Sequence, residues 1–161
     1  MTETSFKSPD AIIGHKSKAL YEIWKSLTGG RVAPKREEIT LGLVRTLTPW
    51  LWTADVIDNG ADFRFRMAGD RISQFYEQPI TSSPISELPN NPFLERVKQV
   101  LMYCVKDKRP VALGPIRSRR EGKEHWEIEV VVVPLSEDGE TINCLMGTME
   151  LWPTGTGGAA H

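Results

Sequence analysis

The stretch Ala61-Asp-Phe-Arg-Phe-Arg-Met-Ala-Gly-Asp-Arg-Ile72 carries the clearest structural signal in this chain. Its first half alternates apolar and charged residues, so that two phenylalanines and a methionine fall in one row. A period of two is typical of a strand with one buried face. Gly69 ends this strand, and the pattern then predicts a short helix over Asp70–Tyr76.

A second strand precedes the first one along the chain. The residues Leu51–Ile57 are rich in apolar and β-branched side chains, and the dipeptide Asn59-Gly60 separates them from the alternating stretch. Asn-Gly is the strongest short-range signal for a two-residue hairpin loop, because both residues tolerate a positive φ. The sequence therefore predicts a β-hairpin at this point.

The spacing of apolar residues predicts the remaining elements. They are a leading helix over residues 10–27, a short helix over 40–46, a long helix over 92–106, and strands over 111–118, 124–133 and 141–151. Pro115 removes a backbone donor from its strand, which favours an edge position in the sheet. The fold class is therefore α+β, with one five-stranded antiparallel sheet flanked by helices and a leading N-terminal helix.

Length and charge describe one small domain. The chain has 161 residues and a formal net charge of −1, so its composition does not favour nucleic acid or a membrane surface as a partner. The longest aliphatic run, residues 130–133, is too short to span a bilayer, and the polar N-terminus is not a secretory signal. We expect residues 1–9 to be flexible, residues 10–152 to form a single domain, and residues 153–161 to be a flexible tail.

The two cysteines indicate the compartment. Cys104 and Cys144 are far apart and lack the spacing of metal ligands. We therefore expect reduced, buried thiols in a cytoplasmic protein, and no metal site.

Four stretches together resemble one known family. They are Leu20-Tyr-Glu-Ile-Trp24, Gly29-Gly-Arg31, Phe65-Arg-Met-Ala-Gly-Asp-Arg-Ile72 and Val133-Pro-Leu-Ser-Glu-Asp-Gly139. The chain is similar, from about residue 19 to residue 151, to the bacterial, mainly alphaproteobacterial, family of single-domain PAS proteins. It departs from that family at Glu77 and Ser83, where glycines are usual. The resemblance implies a PAS fold with a sensory or protein-interaction role, but no particular ligand and no catalytic residue.

The common PAS cofactors can be tested against the residues. Haem-binding PAS domains usually use a histidine on the long helix, and residues 92–106 contain none. Flavin-binding members resemble one another in an Asn-Cys-Arg-Phe motif, to which the nearest match here is Asn143-Cys144-Leu145. We interpret Cys104 and Cys144 as packed thiols, so no haem, flavin or other cofactor is expected.

An enzyme is the alternative function class. The sequence has no common nucleophile, metal or phosphate-binding motif, and its three histidines are scattered. Strand alternation places Glu127 and Glu129 on one face together with His125, which indicates either a polar sheet face or an acidic pocket. We therefore predict no catalytic residues and no enzymatic activity, with a small α+β enzyme that has a curved-sheet pocket as the alternative.

A PAS fold encloses a small cavity between its sheet and the helices that follow the second strand. Residues expected to line such a ligand pocket are Phe65, Arg66, Phe75, Tyr76, Tyr103, Trp126 and Ile128. Core packing is the favoured interpretation for Phe65, Phe75 and Trp126. Arg66 needs an anionic partner if it is buried, and a structural pair with Asp55 is favoured over an anionic ligand.

The leading helix suggests self-association. Leu20, Ile23 and Trp24 form the centre of its apolar face, which predicts a homodimer contact, although the same face would also cover the chain's own sheet. Taken together, the sequence predicts a stand-alone sensory domain that binds a small molecule or a regulatory protein partner. We expect its signal to pass in trans to another chain.

Overall fold

Six antiparallel strands form one sheet in the computed structural model, which describes residues 6–77, 79–88, 92–118 and 122–155. The strands are β1 (Phe6–Lys7), β2 (Leu51–Ile57), β3 (Asp62–Ala68), β4 (Val111–Arg117), β5 (Trp126–Leu135) and β6 (Cys144–Pro153). Their order across the sheet is β1-β4-β5-β6-β2-β3. The predicted α+β fold with an antiparallel sheet is confirmed, with one strand more than expected.

Helices cover both faces of this sheet. They are α1 (His15–Thr28), α2 (Leu41–Val44), α3 (Asp70–Tyr76) and α4 (Pro92–Asp107). Helix α1 packs on β5 and β6 from one side, while α4 packs on β3, β4 and β5. The central strands are therefore buried on both faces, which explains why β5 contains the unbroken aliphatic run of residues 130–133.

Local sequence pattern locates most elements well. The predicted bounds of β2 and α3 coincide with the observed ones, and β4, β5 and β6 begin and end within three residues of the predicted positions. A turn connects β5 to β6. There the backbone N–H groups of Thr141 and Glu140 donate to the Asp138 carboxylate at 2.8 Å each, and these hydrogen bonds lower the pKa of Asp138 to about 2.

The N-terminus differs from the prediction. Residues 1–9 were expected to be flexible, but Phe6 and Lys7 form strand β1 and pair with Leu113 and Ala112. Strand β4 is consequently not the edge strand that Pro115 predicts. The ladder is interrupted between Leu113 and Ile116, so the missing donor of Pro115 falls where strand pairing is already broken. Residues 1–5 lie outside the described part of the chain.

Two further boundaries are corrected. Residues 58–61 connect β2 to β3, because Ile57 pairs with Asp62, so the two-residue hairpin loop is wrong. At the other end of the chain, residues 153–161 were expected to form a flexible tail. Pro153 still belongs to β6, and the N–H of Thr154 donates to the carbonyl of His125 at 2.8 Å. Residues 156–161 lie outside the described ranges.

Two buried carboxylates fix the start of helix α1. Glu129 is fully buried, and it accepts hydrogen bonds from the N–H groups of Ile13 and Gly14 at 2.8 Å each. Glu150 accepts from the N–H groups of Lys16 and Ser17 at 2.7 and 3.1 Å. These four donors belong to the first turn of α1 and the residues before it, where amides lack partners within the helix. The helix therefore begins at His15, not at residue 10.

The two carboxylates are also close to each other. Glu129 pairs directly with Glu150 across β5 and β6, an arrangement in which like charges repel. The positive end of the helix offsets this repulsion, and Lys7 adds an ion pair with Glu129 at 2.5 Å. Gly14 is required by this packing, since a Cβ atom built there lies only 1.4 Å from the Glu150 carboxylate.

The apolar face of α1 lies on the chain's own sheet. Leu20 is fully buried, Trp24 is 8% exposed, and the Trp24 indole donates to the carbonyl of Pro134 at 2.7 Å. The predicted use of Leu20 and Trp24 as dimer contacts is therefore wrong in this arrangement, because both side chains are already covered. Ile23 is half-buried and keeps part of its surface outside the core.

Replacing Glu129 tests this anchoring. Glu129→Ala removes the acceptor of two backbone amides and the partner of Lys7, and we expect it to lower the free energy of unfolding by about 3 kcal/mol. The measurement is urea denaturation followed by circular dichroism. Glu22→Ala is the matched control, because Glu22 is a glutamate exposed on the surface of α1. Its effect should stay within about 0.5 kcal/mol, and equal effects for both variants would contradict the anchoring role.

Candidate functional site

An apolar cavity lies between the sheet and helices α3 and α4, on the face opposite α1. Its volume is about 80 Å³. The sheet contributes Trp52, Phe65, Leu113, Ile116, Ile128, Val130 and Met149, and the helical side contributes Ile72, Tyr76, Ile80, Val97, Val100 and Leu101. Arg96, Arg117 and Ser118 complete the lining. Because Ile116 and Arg117 are exposed, this end of the cavity is close to the protein surface.

One wall of the cavity depends on a glycine. Trp52 on β2 pairs with Gly147 on β6, and a Cβ atom built at Gly147 lies 2.2 Å from the Trp52 ring. The absence of a side chain therefore lets the indole lie flat across β6. The Trp52 ring meets Phe65 edge-on, with centroids 5.6 Å apart and an interplanar angle of 86°. This geometry is favoured for aromatic pairs and holds both rings in the wall.

Helix α3 contains two neighbouring aromatic residues that line two different sites. Tyr76 is 2% exposed and lines the cavity, while Phe75 lines a separate surface cleft. Their rings are perpendicular, with centroids 5.7 Å apart. The helix starts where Gly69 approaches the preceding segment so closely that a Cβ atom would lie 2.0 Å from the Thr48 carbonyl oxygen. Gly69 therefore positions α3 against the end of β3.

A profile of the PAS domain family matches residues 13–150. The chain belongs to the PAS domain family. Among solved structures, the PAS domain of the histidine kinase ThkA superposes with a TM-score of 0.46 and 12% sequence identity, over 63% of this chain and 98% of that one. A search of curated proteins gives no significant match.

The structure of this PAS domain divides the predicted ligand-binding residues. Phe65, Tyr76 and Ile128 line the cavity, whereas Phe75 and Trp126 line the surface cleft. The other two predicted residues lie at neither place. Tyr103 is 45% exposed on the outer side of α4 and stacks on Phe6 of β1, with centroids 4.3 Å apart. Placing Tyr103 in the pocket was wrong, because its ring packs on Phe6 at the edge of the sheet and not in the cavity.

Arg66 is an exposed residue of β3, and its inclusion among the pocket residues was also wrong. Its Nε atom lies 2.8 Å from Oδ2 of Asp55 on β2, so the structural pair favoured by the sequence is present. The Arg66 side chain is 63% exposed, and it therefore does not depend on that partner as a buried guanidinium would.

Several lining residues were missed as ligand contacts, although the sequence contains signals for them. Val97, Val100 and Leu101 occupy helical positions three and four apart, which marks the inner face of α4. Trp52 and Met149 lie on strands β2 and β6. Which side chains of these strands point into the cavity cannot be assigned without the sheet register. The pairing of a large Trp52 with Gly147 is visible only after that register is known.

The two thiols are buried, as predicted. Cys104 is fully buried, its Sγ lies 3.3 Å from the carbonyl of Arg109, and burial raises its pKa. Burial also raises the pKa of Cys144 to about 11. Strand alternation places Cys144 on the same face as Thr148 and Glu150, which is the α1 face and not the cavity face. Both thiols are therefore weak nucleophiles at neutral pH.

The sheet face that was considered as an acidic pocket lies under helix α1. Glu129 lies beneath α1 as its capping acceptor, not in an open acidic pocket. Within the part of the chain that the structure describes, no group of three or more His, Cys, Asp or Glu side chains can hold a metal ion. None of the helices in the described ranges is long and apolar enough to cross a membrane.

Gly147 gives a direct test of the cavity wall. Gly147→Ala must displace the Trp52 ring or strand β6, and we expect a loss of about 1–3 kcal/mol in the free energy of unfolding, which is typical of overpacked sites. Thermal and urea denaturation measure this change. Gly42→Ala is the control, since its new methyl group meets only Thr40 Oγ1 at 3.8 Å. A neutral Gly147→Ala would show that Trp52 does not depend on the glycine.

Proposed function

We propose that this PAS domain is a sensor that binds a small apolar molecule in the cavity beneath α4 and passes the signal in trans. Family membership supports the sensory role, and the cavity supports the ligand class. A wall formed almost entirely by aliphatic and aromatic side chains favours an uncharged ligand, because a buried charge without a partner is costly. A volume of about 80 Å³ suits a compound of a few carbon atoms, up to one small ring.

Helix α4 is the element best placed to carry the signal outward. Its inner face lines the cavity through Val97, Val100 and Leu101. Its outer face leaves Met102 and Tyr103 43% and 45% exposed. A ligand that shifts the inner side chains would move these exposed residues as well, since a helix moves as a rigid unit. We propose that a regulatory protein partner contacts this outer face.

The homodimer and the absence of catalysis remain parts of the proposal. With Leu20 and Trp24 covered by their own sheet, a two-fold contact would use the outer surface of α1, including the accessible part of Ile23.

His125 is exposed, and Glu129 is occupied by backbone donors, so the residues considered for an active site do not converge. These arrangements support binding over turnover.

Two broader features complete the proposal. The buried, free thiols of Cys104 and Cys144 support a reducing compartment, the cytoplasm. The motif Phe65-Arg-Met-Ala-Gly-Asp-Arg-Ile72 supports placement in the bacterial, mainly alphaproteobacterial, single-domain branch of the PAS family.

Benzene is a suitable probe for the cavity, because it binds in an apolar protein cavity of about 150 Å³, and movement of the lining side chains would enlarge the present space of about 80 Å³ to admit it. We expect benzene to shift the methyl NMR signals of Ile72 and Ile128, which line the cavity, and to leave that of Ile142 unchanged. Val100→Phe fills part of the space and should weaken binding at least tenfold. Met102→Phe, on the exposed side of the same helix, is the matched control and should bind normally.

Two results would contradict the proposed site. The first is equal benzene binding by Val100→Phe and Met102→Phe, which would place the probe elsewhere. The second is the absence of any saturable shift at Ile72 and Ile128 in the unsubstituted protein, which would mean that side-chain motion does not open the cavity to ligands.

A further inference from the structure

A second concave site lies on the surface beside α3, and we call it the tryptophan cleft. It has a volume of about 260 Å³ and is lined by Trp50, Arg71, Gln74, Phe75, Lys123 and Trp126. None of these residues lines the apolar cavity. The cleft therefore differs from the proposed sensory site in position, size and chemical character.

The aromatic surfaces of the cleft are partly open. Trp50 and Trp126 are half-buried, and Phe75 is buried. Half-buried indoles in a concave site offer large, rigid, flat surfaces against which a planar ring can pack. The turn before β5 holds Trp126 in place, because the backbone N–H of Trp126 donates to the Lys123 carbonyl at 3.1 Å.

The rim of the cleft is positively charged. Lys16 Nζ lies 4.4 Å from the centre of the Trp50 ring, and the Arg71 guanidinium carbon lies 5.7 Å from the same centre. Lys123 is the third cation, and it pairs with Glu77 at 2.5 Å. Among the described residues, Lys16 and Arg71 form no ion pair with a carboxylate. Two cations thus share one indole ring without a described anionic partner.

We propose that the tryptophan cleft binds a small aromatic carboxylate. Its ring packs against Trp126 and Phe75, and its carboxylate accepts hydrogen bonds from the Arg71 guanidinium, with Lys16 adding a second positive charge. A planar guanidinium can donate two parallel hydrogen bonds to a carboxylate. The volume admits one ring with a short substituent. This ligand class is opposite in charge to the cations and different from the uncharged ligand of the cavity.

Benzoate and benzamide form the matched probe pair, since they share shape and differ in charge. We expect benzoate to shift the indole N–H signals of Trp50 and Trp126 in a saturable ¹⁵N NMR titration, and not that of the cavity residue Trp52. Benzamide should bind at least tenfold more weakly. Raising the salt concentration should weaken benzoate binding, because exposed charges are screened.

Substitutions of Arg71 decide whether its positive charge is responsible for benzoate binding. Arg71→Gln should weaken benzoate binding about tenfold, and Arg71→Lys should recover part of that loss. Arg36→Gln is the control, because Arg36 is exposed in the segment between α1 and α2, outside the cleft lining. Equal affinity for benzoate and benzamide, unchanged affinity in Arg71→Gln, or no shift at Trp50 and Trp126 would each overturn the proposal. None of these results depends on whether the cavity binds benzene.

Discussion

The buried carboxylates of Glu129 and Glu150 are the constraint on which the arrangement of this PAS domain depends. They lie side by side on the central strands, where an isolated charge would be costly, and the backbone amides at the start of α1 compensate them. The leading helix is thereby committed to one face of its own sheet. The two proposed ligand sites lie on the other face and at its margins, where α3 and α4 leave a cavity and a cleft.

The local parts of this architecture could be predicted from the sequence. The apolar and β-branched residues of Leu51–Ile57 and the alternation after Ala61 locate strands β2 and β3, and the pattern after Gly69 locates the helix that follows, because these signals depend on neighbouring residues alone. The inner face of α4 and the burial of both cysteines follow from the same kind of evidence. The resemblance of residues 65–72 and 133–139 to PAS proteins agrees with the family match over residues 13–150.

Apart from the length of the loop between β2 and β3, the features that could not be predicted join residues distant in sequence. Gly14 and its acceptor Glu129 are 115 positions apart, and a glutamate on a strand looks like a solvated residue until its partner is known. Strand β1 has only two residues and forms by pairing with the edge of β4, so its own sequence contains no strand pattern. The division of Phe75 and Tyr76 between two sites depends on the rotation of α3, and hence on the close approach at Gly69. Sheet register and helix rotation therefore determine the sites.

Native mass spectrometry, followed by denaturation, tests most directly whether the cavity is the sensory site. The account predicts that protein purified from its own cells carries a small uncharged molecule in one-to-one ratio, which denaturation releases for identification. Val100→Phe, purified in the same way, should lack it, while Met102→Phe should retain it. A chain that never carries such a molecule, or a Val100→Phe variant that carries the same molecule at the same occupancy, would contradict the assignment of the cavity as the ligand site.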